Sequence, residues 1–140
     1  MADLSKRKRN ALLCLTSLII GGLLYILFRP GTYIGGVLDR LLPVSTIRQI
    51  CSTYTGDLFK FYLPDFLWAF SLGCCFIAIN DPKITGVILC SLLAFLCGTA
   101  WEILQYFKLI QGTGDIHDVI MYFLASAICI IMNLKETKGK

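Results

Sequence analysis

Four long apolar blocks leave this chain few ways to fold. The first, ALLCLTSLIIGGLLYILF (11–28), carries no charge, and as a helix it extends about 27 Å. The others are YLPDFLWAFSLGCCFIAIN (62–80), ITGVILCSLLAFLCGTAWEILQYF (84–107) and VIMYFLASAICIIMN (119–133). A segment of that length and greasiness matches the hydrocarbon layer of a bilayer, where only helices and closed barrels satisfy their own backbone. The expectation is an all-α polytopic membrane protein. It consists of a four-transmembrane-helix bundle over about 11–28, 62–80, 84–107 and 118–134, in one membrane domain spanning 1–140.

Composition excludes the main competitor. Of 140 residues, 56% are hydrophobic and only 16% charged, too few charges to coat a soluble domain of this size. The first block follows a basic run, as a signal peptide would, but it ends in Phe28-Arg29-Pro30 with no small-residue cleavage pattern. It reads as a retained anchor. The seven cysteines are odd in number and, Cys51 apart, lie inside the apolar blocks. They read as small buried apolar residues rather than as a disulfide framework or a zinc site.

Positive charge sets the orientation. KRKR (6–9), Lys83 and the tail LKETKGK fall on one side of a four-span topology, which predicts cytoplasmic termini. The segment 29–61 also holds Arg29, Arg40, Arg48 and Lys60 and would then be extracytoplasmic. It is too long for a plain connector. Ile47, Ile50, Tyr54 and Leu58 recur at helical spacing behind Ser45, and Tyr33, Ile34, Val37, Leu38, Leu41 and Leu42 form a second amphipathic piece. An amphipathic loop in the headgroup layer is expected.

The same topology brings the polar residues to the outer end. Asp65 opens the second helix, Glu102 and Gln105 close the third, and Asp115, His117 and Asp118 open the fourth. Asp115 fits a helix N-cap, and Asp118 and Asp65 fit first-turn acids favoured by the helix dipole. Glu102 fits no cap, since it follows 18 uncharged residues inside a helix. Gln105 shares its face. A carboxylate so placed in a membrane helix points to function. Trp101, Tyr106 and Phe107 beside it read as an interfacial aromatic girdle.

The stretch WEILQYFKLIQGTGDIHDVIMYFLASA resembles the C-terminal half of the VanZ-like family of small bacterial membrane proteins. Glu102, Gln105, Gly112, Asp115 and Asp118 match that family's pattern position by position. Gly112-Thr113-Gly114 stands where the family's loop carries an arginine, and Tyr122 where it carries an asparagine. The resemblance implies the four-helix layout and a setting in the cell envelope, the family being named for a member associated with resistance to the glycopeptide teicoplanin.

Three functions fit these residues. In the first, a non-enzymatic outward pocket of Glu102, Gln105, Asp115 and Asp118 binds a lipid headgroup or lipid-linked envelope precursor, with Arg40 and Arg48 for its phosphate. In the second, an interfacial enzyme uses Glu102 or His117 as general base, with Asp118 and the other acids able to hold a divalent metal. In the third, a small proton-coupled transporter or accessory subunit, in a homo-oligomer or with a helix-packing partner, titrates Glu102. No cofactor motif, resident metal site or nucleic-acid signature stands out, and the first reading is favoured.

Overall fold

The computed structural model describes residues 2–28, 36, 37, 40, 49, 56, 58–80 and 83–138. These are all-helical where regular. Helix α1 covers Ala2–Phe28, α2 Leu63–Ile79, α3 Ile84–Tyr106 and α4 Ile116–Lys138, with one π-helical turn, Leu58–Tyr62, leading into α2. Four helices among the described residues are long and apolar enough to cross a membrane: Leu4–Phe28, Lys60–Ile79, Ile84–Tyr106 and Ile116–Leu134. The chain is a multi-pass membrane protein in these terms. Most of the amphipathic pieces read from 29–61, and Arg48 with them, lie outside the described residues.

Two boundaries differ from expectation. Helix α1 begins at Ala2 rather than near 11, so KRKR is wound into its first turns. Helix α4 begins at Ile116, directly after the Asp115 cap position, but runs on to Lys138, past the expected end near 134. The block alone is about 22 Å long, shorter than the ~30 Å of a hydrocarbon core. Extending the helix at both ends, to Ile116–Lys138, brings it to about 34 Å and supplies the missing length.

Local chemistry sets the other ends. Pro64 occupies the first turn of α2, where its missing N–H costs nothing. At the far end, the backbone N–H and side-chain amide of Asn80 both donate to the Phe76 carbonyl at 3.0 Å. Helix α3 ends in a Schellman motif. Lys108 N–H donates to Gln105 O (2.9 Å) and Leu109 N–H to Leu104 O (2.9 Å), with Lys108 at φ 56°.

Helix α2 touches each of the other three, and α3 packs along α4. Neighbouring contacts run antiparallel for α1 and α2 (Gly21 against Leu67, Cys14 against Ser71) and for α3 and α4 (Gly98 against Tyr122). The core joins Phe70, Cys74 and Ile77 of α2, Val87 and Cys90 of α3, and Tyr122, Ala125 and Cys129 of α4. Large apolar side chains such as Leu12, Leu15, Ile19, Leu89, Leu96 and Ile131 face outward. Buried groups include Asn10, Ser17, Ser71, Ser91, Glu102, Ser126 and Asn133. Polar residues inside and leucine outside is the arrangement a lipid solvent favours.

The inner polar residues bind helix to helix. Ser71 Oγ donates to the Cys14 carbonyl at 3.0 Å, joining α2 to α1. At the end bearing KRKR, Asn10 and Asn133 are 0% and 2% exposed and exchange amide hydrogen bonds (2.9 and 3.3 Å). Arg9 Nη2 also donates to Asn133 Oδ1 at 2.8 Å, which ties α1 to α4.

Candidate functional site

At the opposite end, the residues singled out from the sequence gather around Glu102. Its side chain is only 5% exposed, although it sits near the last turn of α3. Oε1 accepts the Tyr122 hydroxyl at 2.9 Å, and Oε2 accepts the Asp115 backbone N–H at 3.1 Å. With the Gln105 amide turned to satisfy both of its neighbours, its nitrogen donates to Glu102 Oε2 (3.2 Å). Its oxygen then accepts the Trp101 indole N–H (3.0 Å). A buried carboxylate needs such donors, since burial without them would be costly.

Three glycines permit this geometry. A Cβ at Gly98 would stand 2.6 Å from the Tyr122 ring. The missing side chain therefore lets the ring lie on α3, and its hydroxyl then reaches Glu102 one turn further along. Gly112 adopts φ 135°, a backbone region that L side chains avoid, and a Cβ there would overlap the Gln105 amide. At Gly114 a Cβ would meet the Glu102 carbonyl at 2.7 Å, so the loop lies against the end of α3. The sequence GTG is thus the condition for folding the α3–α4 loop back onto Glu102.

Asp115 caps α4. Its Oδ1 accepts the His117 backbone N–H at 2.9 Å, and Asp118 N–H donates to the Asp115 carbonyl at 3.2 Å. The same Oδ1 contacts His117 Nδ1 at 2.7 Å, both side chains being largely open to solvent. The backbone N–H of His117, and then its imidazole, hold the Asp115 carboxyl below the ordinary value of 3.8. The His117 ring also lies 5.4 Å from that of Tyr62, at the entrance to α2.

Asp65 and Asp118 are half-buried in the first turns of α2 and α4. The structure thus collects Asp65, Glu102, Gln105, Asp115, His117 and Asp118 at one end. Arg40 is exposed and makes no bond to the cluster among the described residues. Among the described residues no group of three or more His, Cys, Asp or Glu side chains is arranged to hold a metal ion.

Neither Tyr122, noted only as a departure from a pattern, nor Gly98 is assigned to the site from the sequence. Their signal was spacing. Gly98 and Glu102 are one turn apart on α3, as Asp118 and Tyr122 are on α4. Trp101, read as girdle, is exposed and in addition orients Gln105. No family model, no curated protein and no solved structure matches the chain.

Proposed function

We propose that this chain is a four-helix membrane bundle with cytoplasmic termini, whose outer end binds the headgroup of a lipid or a lipid-linked envelope precursor without transforming it. The observation that carries this reading is the buried carboxylate of Glu102, held by the Tyr122 hydroxyl and the Asp115 backbone N–H at the edge of the membrane-spanning segments. The roles within the cluster divide. Glu102 is engaged by Tyr122, Gln105 and Asp115 and serves as the fixed floor of the pocket. Asp65 and Asp118, half-buried in the first turns of α2 and α4, keep partners within the protein and line the sides of the pocket, where they meet a ligand's hydroxyl, amide or ammonium donors. Arg40 and Arg48 of the long loop supply the phosphate contact. The VanZ-like pattern of residues 101–127 supports a precursor of the cell envelope as the ligand, with altered glycopeptide susceptibility as the expected phenotype.

The test is lipid mass spectrometry on the gently purified full chain. A wild-type sample is compared with an Asp65→Asn, Asp118→Asn double variant of equal thermal stability. Retention of one lipid class by wild type and its loss from the variant supports the pocket. Identical bulk lipid in both sinks it.

The Asp115–His117 pair favours a second reading, because a carboxylate oriented on an imidazole nitrogen is how a general base is commonly held. On this reading the chain is an interfacial enzyme acting on the same lipid-linked substrate. Conversion of the retained lipid, abolished by His117→Gln, would distinguish it from the binder.

A further inference from the structure

We propose that Cys74 and Cys129 are a redox-active pair that closes to an interhelical disulfide. All six cysteines among the described residues are free thiols. Cys74 and Cys129 are each 1% exposed and lie sulfur to sulfur at 3.8 Å across the α2–α4 seam. A disulfide needs ~2.05 Å between sulfurs, so both side chains must turn toward each other for the bond to form. The backbone already favours the approach. Gly73 lacks the Cβ that would stand 3.1 Å from Cys129 Sγ, so α4 presses its sulfur directly onto α2, where the thiol also faces the Phe70 carbonyl at 3.7 Å.

Packing alone does not require two cysteines here. Alanine or serine fills comparable space in a helix seam, and alanines do so at 69, 94 and 125 of the same core. Two thiols in contact, in contrast, are the reactants of a two-electron oxidation. Each loses its hydrogen, one S–S bond forms, and two electrons with two protons leave. Cys129 lies about 20 Å along α4 from its start, well inside the span. A neutral oxidant dissolved in the lipid can reach that depth, and a quinone is one. It takes up the two electrons and two protons and leaves as the quinol. The bond would fix α2 against α4, the helices that carry Asp65 on one side and Asp118 with Tyr122 on the other. Closure would thereby hold the outer carboxylates at one spacing.

The experiment treats the full chain in proteoliposomes with tetramethyl-benzoquinone, whose ring carbons are all blocked against thiol addition. Peptide mapping without reduction follows, together with the quinol yield. The expected result is a peptide joining α2 to α4 through Cys74 and Cys129, with one quinol formed per chain. The link should persist in Cys75→Ala and vanish in Cys129→Ala. The inference is overturned if both thiols stay free with the quinone in excess in the same bilayer. It is equally overturned if the only link formed joins Cys75 to Cys14, the half-buried thiol beside it.

Discussion

Tyr122 is where a single atom matters most. Its hydroxyl is one of the few donors reaching the buried Glu102 carboxylate, and a hydrogen bond to a charged group contributes about 1.5–3 kcal/mol. Tyr122→Phe keeps the ring on Gly98 and removes only that donor. Its unfolding free energy in detergent should fall by about that amount. An unchanged value would mean that Glu102 is carried by Asp115 and Gln105 alone. Asp115 makes a pH-dependent contribution. Its folded carboxyl titrates below 3.8, so its stabilisation is fully present above 3.8 and is lost as pH falls through the lower, folded value. Melting temperatures of wild type and Asp115→Ala should therefore differ at neutral pH and converge as the pH drops below 3.8. That Glu102 needs partners was legible in the sequence, because a charge after an uncharged helix stretch must be paired or hydrogen-bonded. Its partner on α4 was not, because a tyrosine among aromatic membrane residues reads equally well as an interfacial anchor.

At the scale of the element, helix ends explain more than helix interiors. Lys108 holds a left-handed conformation that costs a side-chain-bearing residue about 1–2 kcal/mol and glycine almost nothing. Part of that gain is offset by the greater freedom of an unfolded glycine. Lys108→Gly should therefore raise stability by about 0.5–1 kcal/mol, and a loss in thermal melts would mean that the lysine side chain is needed. The Asn10–Asn133 pair works at the other end of the molecule. Asn133→Leu removes the acceptor used by both Arg9 and Asn10, and should lower stability by about 1–2 kcal/mol, at the upper end for interhelical bonds in membranes. The four apolar blocks were evident from composition and length. The start of α1 differs from its apolar block because apolarity marks the part of a helix in lipid, whereas hydrogen bonding and caps decide where the helix itself begins; for α4 the Asp115 cap already marked the start.

For the whole molecule, an inside-out distribution of side chains ties architecture to setting. Leucines and isoleucines cover the outer surface, while asparagine, serine and glutamate join the helices within. The proposed orientation has a direct test. In a cysteine-free background, Lys138→Cys should react with an impermeant maleimide only after the cells are permeabilised. Labelling of intact cells would place the carboxylate cluster on the cytoplasmic side and remove the envelope precursor from consideration.

The sequence by itself determined the all-helical, multi-pass character of the protein. Unbroken apolar length leaves the backbone no other way to satisfy its hydrogen bonds in lipid. It also determined that Asp65, Glu102, Gln105, Asp115 and Asp118 share one end, because alternating spans place those residues there by counting. Only the tertiary structure decided which of them meet, and through what. Tyr122 reaches Glu102 because Gly98 lets its ring approach, and Asp115 reaches it because Gly112 and Gly114 fold the loop back. Cys74 meets Cys129 because Gly73 lets α4 settle against α2. Such contacts depend on the rotation and spacing of neighbouring helices, which the packing of many side chains sets together and no single stretch of sequence encodes.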